Sequence, residues 1–333
     1  MIKSKDIVSV IISAYNASKT IEKTLISLEN QDCNRDKFEV IIVDDGSNDS
    51  TKEIVQKYIV RNKIQLEYLY QAKMWVGIAR NLGISYSVGK ILAFTDADCI
   101  CDIQRIATIY QKIYKQWYKL IWGYTFANDS IIYPWKIAPV NQTGITANLA
   151  VDYRVIEGAV FSWDFMWMFW DDTDFILRME DAGIGPQYVP EMKVEHPANI
   201  LTLQKLIIRF WGRANDVLLY KKYWKRVLPS FSPVFQPILF HRISIFTILN
   251  VFLLLSIIWV LWNFWVVWLL LYFCFLFVLF YIFVFDYFII YKPKDALISP
   301  KDKITTFLFL IISTPLYYYY RIKGNIKFRF FML

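Results

Sequence analysis

Short apolar runs recur along the first hundred residues, and apolar side chains at helical spacing fill the gaps between them. Ile7 to Ser13 (IVSVIIS), Phe38 to Val43 (FEVIIV), Ile64 to Tyr70 and Ile91 to Phe94 are bounded by polar clusters and rich in β-branched or aromatic residues, which predicts four buried strands. Ile21, Leu25 and Leu28 share one face of a helix for which Ser18 is the expected cap. "DDGSNDST" supplies turn and cap residues for a second helix reaching about Tyr58, and Val76 to Ser87 predicts a third. Strands alternating with helices imply an α/β fold with a parallel sheet covered on both faces. Ligands of such sheets bind beyond the carboxyl ends of the strands. Asn16, the pair Asp44 and Asp45, and the pair Asp96 and Asp98 all fall at that edge. Ionised carboxylates are rarely buried unless paired or bound to a metal. "FTDADC" is therefore either an ordinary acidic turn or the seat of a cation, and several polar turns meeting at one sheet edge favour a site.

The pattern changes beyond residue 200. Between Ile243 and Tyr291 the only charge is Asp286, a length that fits two membrane crossings with a turn near Asn263. Composition agrees: hydrophobic residues make up 56 % of the chain while 20 % are charged, so the two kinds must be segregated. Residues 201–242 carry Lys205, Arg209, Arg213, Lys221, Lys222, Lys225, Arg226 and Arg242 against one acid, Asp216, interleaved with Trp211, Tyr220, Tyr223 and Trp224. This reads as amphipathic interfacial helices on an anionic leaflet rather than a nucleic-acid surface. The following loop, "KPKDALISPKDK", has four lysines and two aspartates and places both ends of the hairpin in the cytosol. Ile304 to Tyr320 is shorter, broken by Pro315 and followed by a basic tail, which favours a re-entrant or interfacial segment over a third crossing. Met1 leads almost directly into a strand-like run, so no signal peptide is expected and the catalytic domain should stay cytosolic, on a multi-pass protein of the cell membrane. Cys33, Cys99, Cys101 and Cys274 lack CxxC spacing, which argues against both a zinc site and a disulfide framework. The expected layout is thus a globular domain over 1–200, a basic collar over 201–242, two membrane helices over 243–291 and a basic C-terminal part over 292–333.

Four stretches carry a family resemblance: "VSVIISAYNASKTIEKTLISLENQ", "FEVIIVDDGSNDST", "GIARNLGISYSVGKILAFTDADC" and "DDTDFILRMEDAG". In order and spacing they resemble the family 2 glycosyltransferases of the GT-A (Rossmann-like) fold, over residues 7 to about 200. The resemblance implies a nucleotide-diphosphate sugar donor and a divalent cation, Mg²⁺ or Mn²⁺, that takes oxygen ligands. It makes Asp98 the metal ligand, with Asp96 holding the ribose or sugar or reaching the metal through water. Asp44 or Asp45 would accept a hydrogen bond from the nucleobase, flanked by Ala14, Tyr15 and Asn16. Arg80 would open onto the donor side and pair with phosphate. Asp172 is the catalytic base by register, with Asp171 its neighbour; their mutual charge and an apolar wall from Trp163, Trp167 and Trp170 would raise its pKa. His196, after the last expected strand, would complete the metal site.

Together these imply an inverting, metal-dependent glycosyltransferase acting on a membrane-associated acceptor, a lipid-linked saccharide or a polyprenyl phosphate, in glycan or cell-surface polysaccharide biosynthesis. "DDTD" favours a hydroxyl acceptor, because a phosphate is already ionised and needs no base. Processive polysaccharide synthases of the same family carry Gln-x-x-Arg-Trp in the interfacial helix, whereas "LQKLIIRFWGRA" here has the residue types without the spacing. The remaining alternative is a non-catalytic membrane protein that keeps the nucleotide-binding fold. Sugar, base and oligomeric state are not legible.

Overall fold

The structure is a computed structural model that describes residues 5–127, 136–137, 145–156, 160–165, 170–197 and 199–200, with isolated positions between 218 and 327. The chain divides into two compact units, Met1–Ile131 with Trp135–Leu201, and Ile132–Pro134 with Thr202–Leu333. The expected collar, membrane hairpin and terminal segment lie outside the described residues but for those isolated positions. Among the described residues no helix is long and apolar enough to cross a membrane.

The first unit is built on β1 (Lys5–Ala14), β2 (Phe38–Asp45), β3 (Leu66–Gln71), β4 (Gly89–Asp96), β5 (Ile100–Cys101), β6 (Leu120–Phe126), β7 (Lys136–Ile137), β8 (Leu149–Asp152), β9 (Gln187–Glu195) and β10 (Asn199–Ile200). Its helices are α1 (Ile21–Glu29), α2 (Thr51–Arg61), α3 (Val76–Tyr86), α4 (Arg105–Tyr110) and α5 (Asp171–Asp181). Eight strands form one sheet in the order β3-β2-β1-β4-β8-β6-β9-β5, while β7 and β10 pair separately. The first four strands are parallel, as the alternation predicts. The other half is mixed: β8 runs antiparallel to β4 and β6, whereas β6 and β9 are parallel. The expectation of a parallel sheet therefore holds for half of it. The rest joins segments far apart in sequence, whose direction no local pattern encodes.

β1 explains why its run is apolar throughout. Val8, Val10 and Ile12 pack with Leu25 and Leu28 of α1 and Ile106 of α4 on one face. Ile11 packs on the other face with Phe94, Phe161 and Phe175. A central parallel strand is buried on both sides, so continuous hydrophobicity replaces alternation. Ile21, Leu25 and Leu28 are all buried, as their spacing predicts. The helix starts later than expected, with Thr20 at its N-cap, and Ser18 instead donates its backbone N–H to Asp49 Oδ2 at 3.0 Å.

Register then sets the site. Ala14 lies opposite Asp44, and Ser13 opposite Asp96, so the ends of β2, β1 and β4 are level. α3 lies against this part of the sheet through Gly83, where a Cβ would stand 2.6 Å from Ile11 Cγ2 and 3.2 Å from Val43 Cγ2. Gly83→Ala forces α3 off the strands whose ends carry the acids. We expect it to cost about 1–3 kcal/mol, read as a lower midpoint in thermal or denaturant unfolding of the full-length protein; an unchanged midpoint would contradict this packing.

Candidate active site

The turns after β1 and β2 lock together. Asn16 has a left-handed backbone, with φ 50°. Its N–H donates to Ser47 Oγ at 2.8 Å, and its Oδ1 accepts from Asn48 N–H at 2.9 Å. Asp49 accepts from the Thr51 backbone and hydroxyl and from Ser18, and closes the start of α2. Burial works against its charge, but the Thr51 and Ser18 hydrogen bonds prevail and lower its pKa to about 2. Gly46, at φ +81°, is needed here: a Cβ would sit 2.8 Å from the Lys73 backbone nitrogen.

Asp44 and Asp45 are buried and occupied by the chain itself. Asp44 accepts from Ser47 N–H at 2.7 Å and from the Tyr68 hydroxyl at 2.6 Å. Asp45 accepts from Gln71 Nε2 at 2.7 Å, Met74 N–H at 2.8 Å and Trp75 N–H at 3.0 Å. Their first duty is to shape the wall of the cleft, which the sequence reading did not foresee because the partners lie on β3 and beyond. Trp75 is held at φ 108°, ψ 149°, backbone that side chains other than glycine rarely adopt. Tyr15 stands exposed beside this wall, with Lys73 Nζ 3.3 Å from its ring centroid. Lys73 was missed as well, being one lysine in a loop with no pattern around it.

The second half of the site assembles around Arg80 on α3. Its Nη1 donates to Asp171 Oδ2 at 2.9 Å and its Nη2 to Asp96 Oδ1 at 3.0 Å. Arg80 is only 5 % exposed, so it corrects the expectation of a side chain open to phosphate. It is the internal counter-ion of two carboxylates from distant segments. The neighbouring Asn81 clamps the backbone of Phe161 from both sides, donating to its C=O at 2.7 Å and accepting from its N–H at 3.0 Å. The loop before α5 is thereby fixed against α3.

α5 presents Asp171, Asp172 and Asp174 in its first turn, where the helix dipole favours negative charge. Asp174 is fully buried and paired with Arg178, whose Nε donates to it at 2.9 Å, a structural role. Asp172 Oδ1 accepts from Thr173 N–H at 2.7 Å, and its Oδ2 takes no hydrogen bond from any described residue. Burial and then the Asp171 charge push the Asp172 carboxyl up to about 7. Of the expected tryptophan wall, Trp170 caps α5 in a left-handed conformation, whereas the Trp163 side chain and Trp167 lie outside the described residues.

Asp96, Asp98, Cys99 and His196 bring one donor atom each within 4.8 Å of one another. His196 Nε2 is 3.7 Å from Asp96 Oδ2 and 3.6 Å from Asp98 Oδ1, while the two carboxylate side chains keep 30 % and 26 % exposure. The other ring nitrogen, Nδ1, is 3.0 Å from the Pro197 carbonyl. That contact suits an Nδ1–H donating to the carbonyl and leaves Nε2 facing the acids, where a bound cation would replace its proton. Burial would lower the His196 pKa, but the facing Asp96 and Asp98 outweigh it and raise it to about 9. Burial raises Asp98 against the attraction of His196, whereas His196 and Arg80 overcome burial at Asp96 and lower it. Two partly open carboxylates and one buried imidazole aimed at a common point are a donor set for a divalent cation. Beneath it the fully buried Arg105 donates to the Phe94 carbonyl at 2.8 Å and to Asn148 Oδ1 at 3.1 Å, and so anchors the end of β4.

Residues 9–170 match the model of Glycosyl transferase family 2. The sheet that carries the site is mixed and belongs to an α/β fold. Among curated proteins, the chain is 43 % identical over 93 residues to the glycosyltransferase AglE of Haloferax volcanii, covering 28 % of this chain and 30 % of AglE. It is 40 % identical over 92 residues to the poly(ribitol-phosphate) β-N-acetylglucosaminyltransferase TarS of Staphylococcus aureus, covering 27 % of this chain and 16 % of TarS. These matches span less than a third of the relatives' own length. Among solved structures, the mannosyltransferase PcManGT of Pyrobaculum calidifontis, in complex with GDP-Man and Mn²⁺, superposes with a TM-score of 0.49 at 18 % identity over 65 % of this chain and 64 % of that one.

The raised carboxyl of Asp172 has a thermodynamic consequence. Its proton is held more tightly folded than unfolded, so the fold loses stability as pH rises from about 4 toward about 7. Asp172→Asn removes that loss. The variant should melt with wild type at pH 4 and above it at pH 8, by calorimetry or dye-monitored unfolding; a difference independent of pH would contradict the environment described.

Proposed function

We propose that this protein is an inverting, metal-dependent glycosyltransferase that moves a sugar from a nucleotide diphosphate to a hydroxyl of a membrane-associated acceptor. The reading rests above all on the Arg80 bridge, which joins the Asp96 loop, inside the stretch that matches family 2, to the Asp171–Asp172 turn just beyond it. An acid that can take a proton and a group of acids and imidazole suited to a cation thereby face one substrate space.

Asp98, His196 and, through Oδ2, Asp96 are the residues that would hold Mg²⁺ or Mn²⁺. Bound there, the cation supplies positive charge to the departing diphosphate. The chain's own groups do the rest. Ala14, Tyr15 and Asn16, with the turn braced by Asp44 and Asp45, form the wall against which the nucleoside lies. Asp172 Oδ2 takes the proton of the acceptor hydroxyl as its oxygen attacks the anomeric carbon opposite the leaving group, which inverts that centre. A base poised near neutral pH suits this step. Arg80 neutralises Asp171, so the base works beside a compensated carboxylate rather than an isolated one. The acceptor is a lipid-linked saccharide or a polyprenyl phosphate, and of the two the saccharide hydroxyl is the one that needs a base. Residues 243–291 span the membrane twice, 201–242 lie on its anionic cytosolic leaflet, and the domain acts on the cytosolic side, a placement supported by the charge and hydropathy pattern.

Sugar-nucleotide turnover by the full-length protein in membranes, measured over a panel of donors with added Mn²⁺, tests this directly. Asp98→Ala should lower it by about a hundredfold or more; equal rates in the two would remove Asp98 from the cation site. Turnover should fall below about pH 7 as Asp172 takes up its proton, and Asp172→Asn should cost about 10²–10⁴-fold at every pH. An unchanged rate in that variant would assign the base elsewhere.

A further inference from the structure

The cation cluster contains one donor that neither oxygen chemistry nor the proposed transfer calls for. Cys99 Sγ is 3.9 Å from Asp98 Oδ1 and lies within 4.8 Å of the donor atoms of Asp96 and His196. It is placed there by the turn, in which Cys99 N–H donates to the Asp96 carbonyl at 3.2 Å and folds the chain back on itself. The thiol is fully buried and packs with the core on its other side. His196, just after β9, is 6 % exposed, and its Nε2 faces both acids as an ion-pair partner at 3.7 and 3.6 Å, the side from which a cation would replace its proton.

We propose that Cys99 makes this cluster a second, closed site for a thiophilic cation, with Zn²⁺ held by Cys99, His196, Asp96 and Asp98 in competition with the hard ion of the open site. Zn²⁺ is four-coordinate with sulfur, nitrogen and carboxylate ligands at about 2.0–2.3 Å, which puts neighbouring donors about 3.3–3.6 Å apart. Three of the six separations, His196 to Asp98, His196 to Asp96 and Cys99 to Asp98, are 3.6, 3.7 and 3.9 Å, within a few tenths of an ångström of that, and the remaining pairs lie within 4.8 Å. On binding, the Zn–S bond forms, the S–H bond breaks, and the proton leaves to solvent. Four protein ligands complete a tetrahedral ion and leave no position for a diphosphate. A hard octahedral ion that ignores the sulfur keeps several positions open. The same residues would thus hold an ion that admits the donor or one that excludes it, and zinc would inhibit by closing the site.

The inference rests on the cluster being a cation site, and not on the sugar or acceptor. Co²⁺ is the probe, because a bound thiolate gives it a charge-transfer band in the near ultraviolet. Titrating the purified full-length protein should give that band with one equivalent of Co²⁺, and Zn²⁺ should abolish it. Cys99→Ser should lose the band and weaken Zn²⁺ by about tenfold or more, while Mn²⁺ affinity, followed by electron paramagnetic resonance, changes little. A variant with Cys33, Cys101 and Cys274 all replaced by serine should keep the band, and it assigns the thiol even if Cys99→Ser does not fold. Mn²⁺ binding with a Co²⁺ spectrum lacking the band would overturn the closed site and leave the transferase reading standing. Failure of Mn²⁺ and Co²⁺ alike would overturn both.

Discussion

One guanidinium ties the cleft together. Arg80 sits between Asp96, at the end of β4, and Asp171, at the start of α5, and is nearly excluded from solvent. A buried cation with two carboxylates is tolerable only if each partner stays in place, because loss of one strands charge away from water. The pairing therefore fixes two segments 75 residues apart in sequence more strictly than packing alone would, and holds the Asp172 turn at a set distance from the Asp98 loop. It also leaves one acid of the α5 turn compensated and the other not. Burial and the Asp171 charge, against the pull of Arg80, let Asp172 keep a proton to near neutral pH while Asp171 serves as an anchor.

The surrounding structure reads as support for that bridge. Gly83 brings α3 close enough to the sheet for Arg80 to reach the end of β4, and Asn81 fastens the Phe161 backbone that leads to α5. Phe94 and Phe161 meet edge to face with ring centroids 5.3 Å apart, so the strand before the acidic loop and the loop before α5 share one apolar contact. Arg105 holds the Phe94 carbonyl, two residues before the end of β4. At the ends of β1 and β2, Asn16 bonds to the turn after β2, Asp44 to Ser47 and Tyr68, and Asp45 to Gln71, Met74 and Trp75, which yields a preformed wall in place of loose loops.

Much of this was legible in the sequence, for identifiable reasons. β1 to β4 and the helices between them announce themselves because each is a local pattern: a run buried on both faces, or one apolar stripe such as Ile21, Leu25 and Leu28. The acids at the strand ends stood out because carboxylates seldom follow such runs without a purpose. What stayed hidden depends on distant pairing. β8 is four residues long, and β9 contains Pro190 and alternates irregularly. β6 shifts register at Gly123 and Tyr124 where it meets β9. Arg80 was expected to open onto the donor phosphate, and its internal role stayed hidden because its partners are 16 and 91 residues away. Cys99 carried no signal beyond its lack of CxxC spacing, since only the fold brings His196 across to face it.

The central claim is spatial: the Asp98 loop, His196 and the Arg80-linked acids surround one ion and one diphosphate. A density map of the full-length protein with Mn²⁺ and a nucleoside diphosphate, phased at the manganese edge or determined by electron cryo-microscopy, measures it outright. The account predicts the ion bonded to Asp98 and His196, the diphosphate on its open side, and Asp172 across the cleft with one oxygen toward the vacant sugar position. An ion bound elsewhere, or a diphosphate lying away from the ends of β1, β2 and β4, would contradict it.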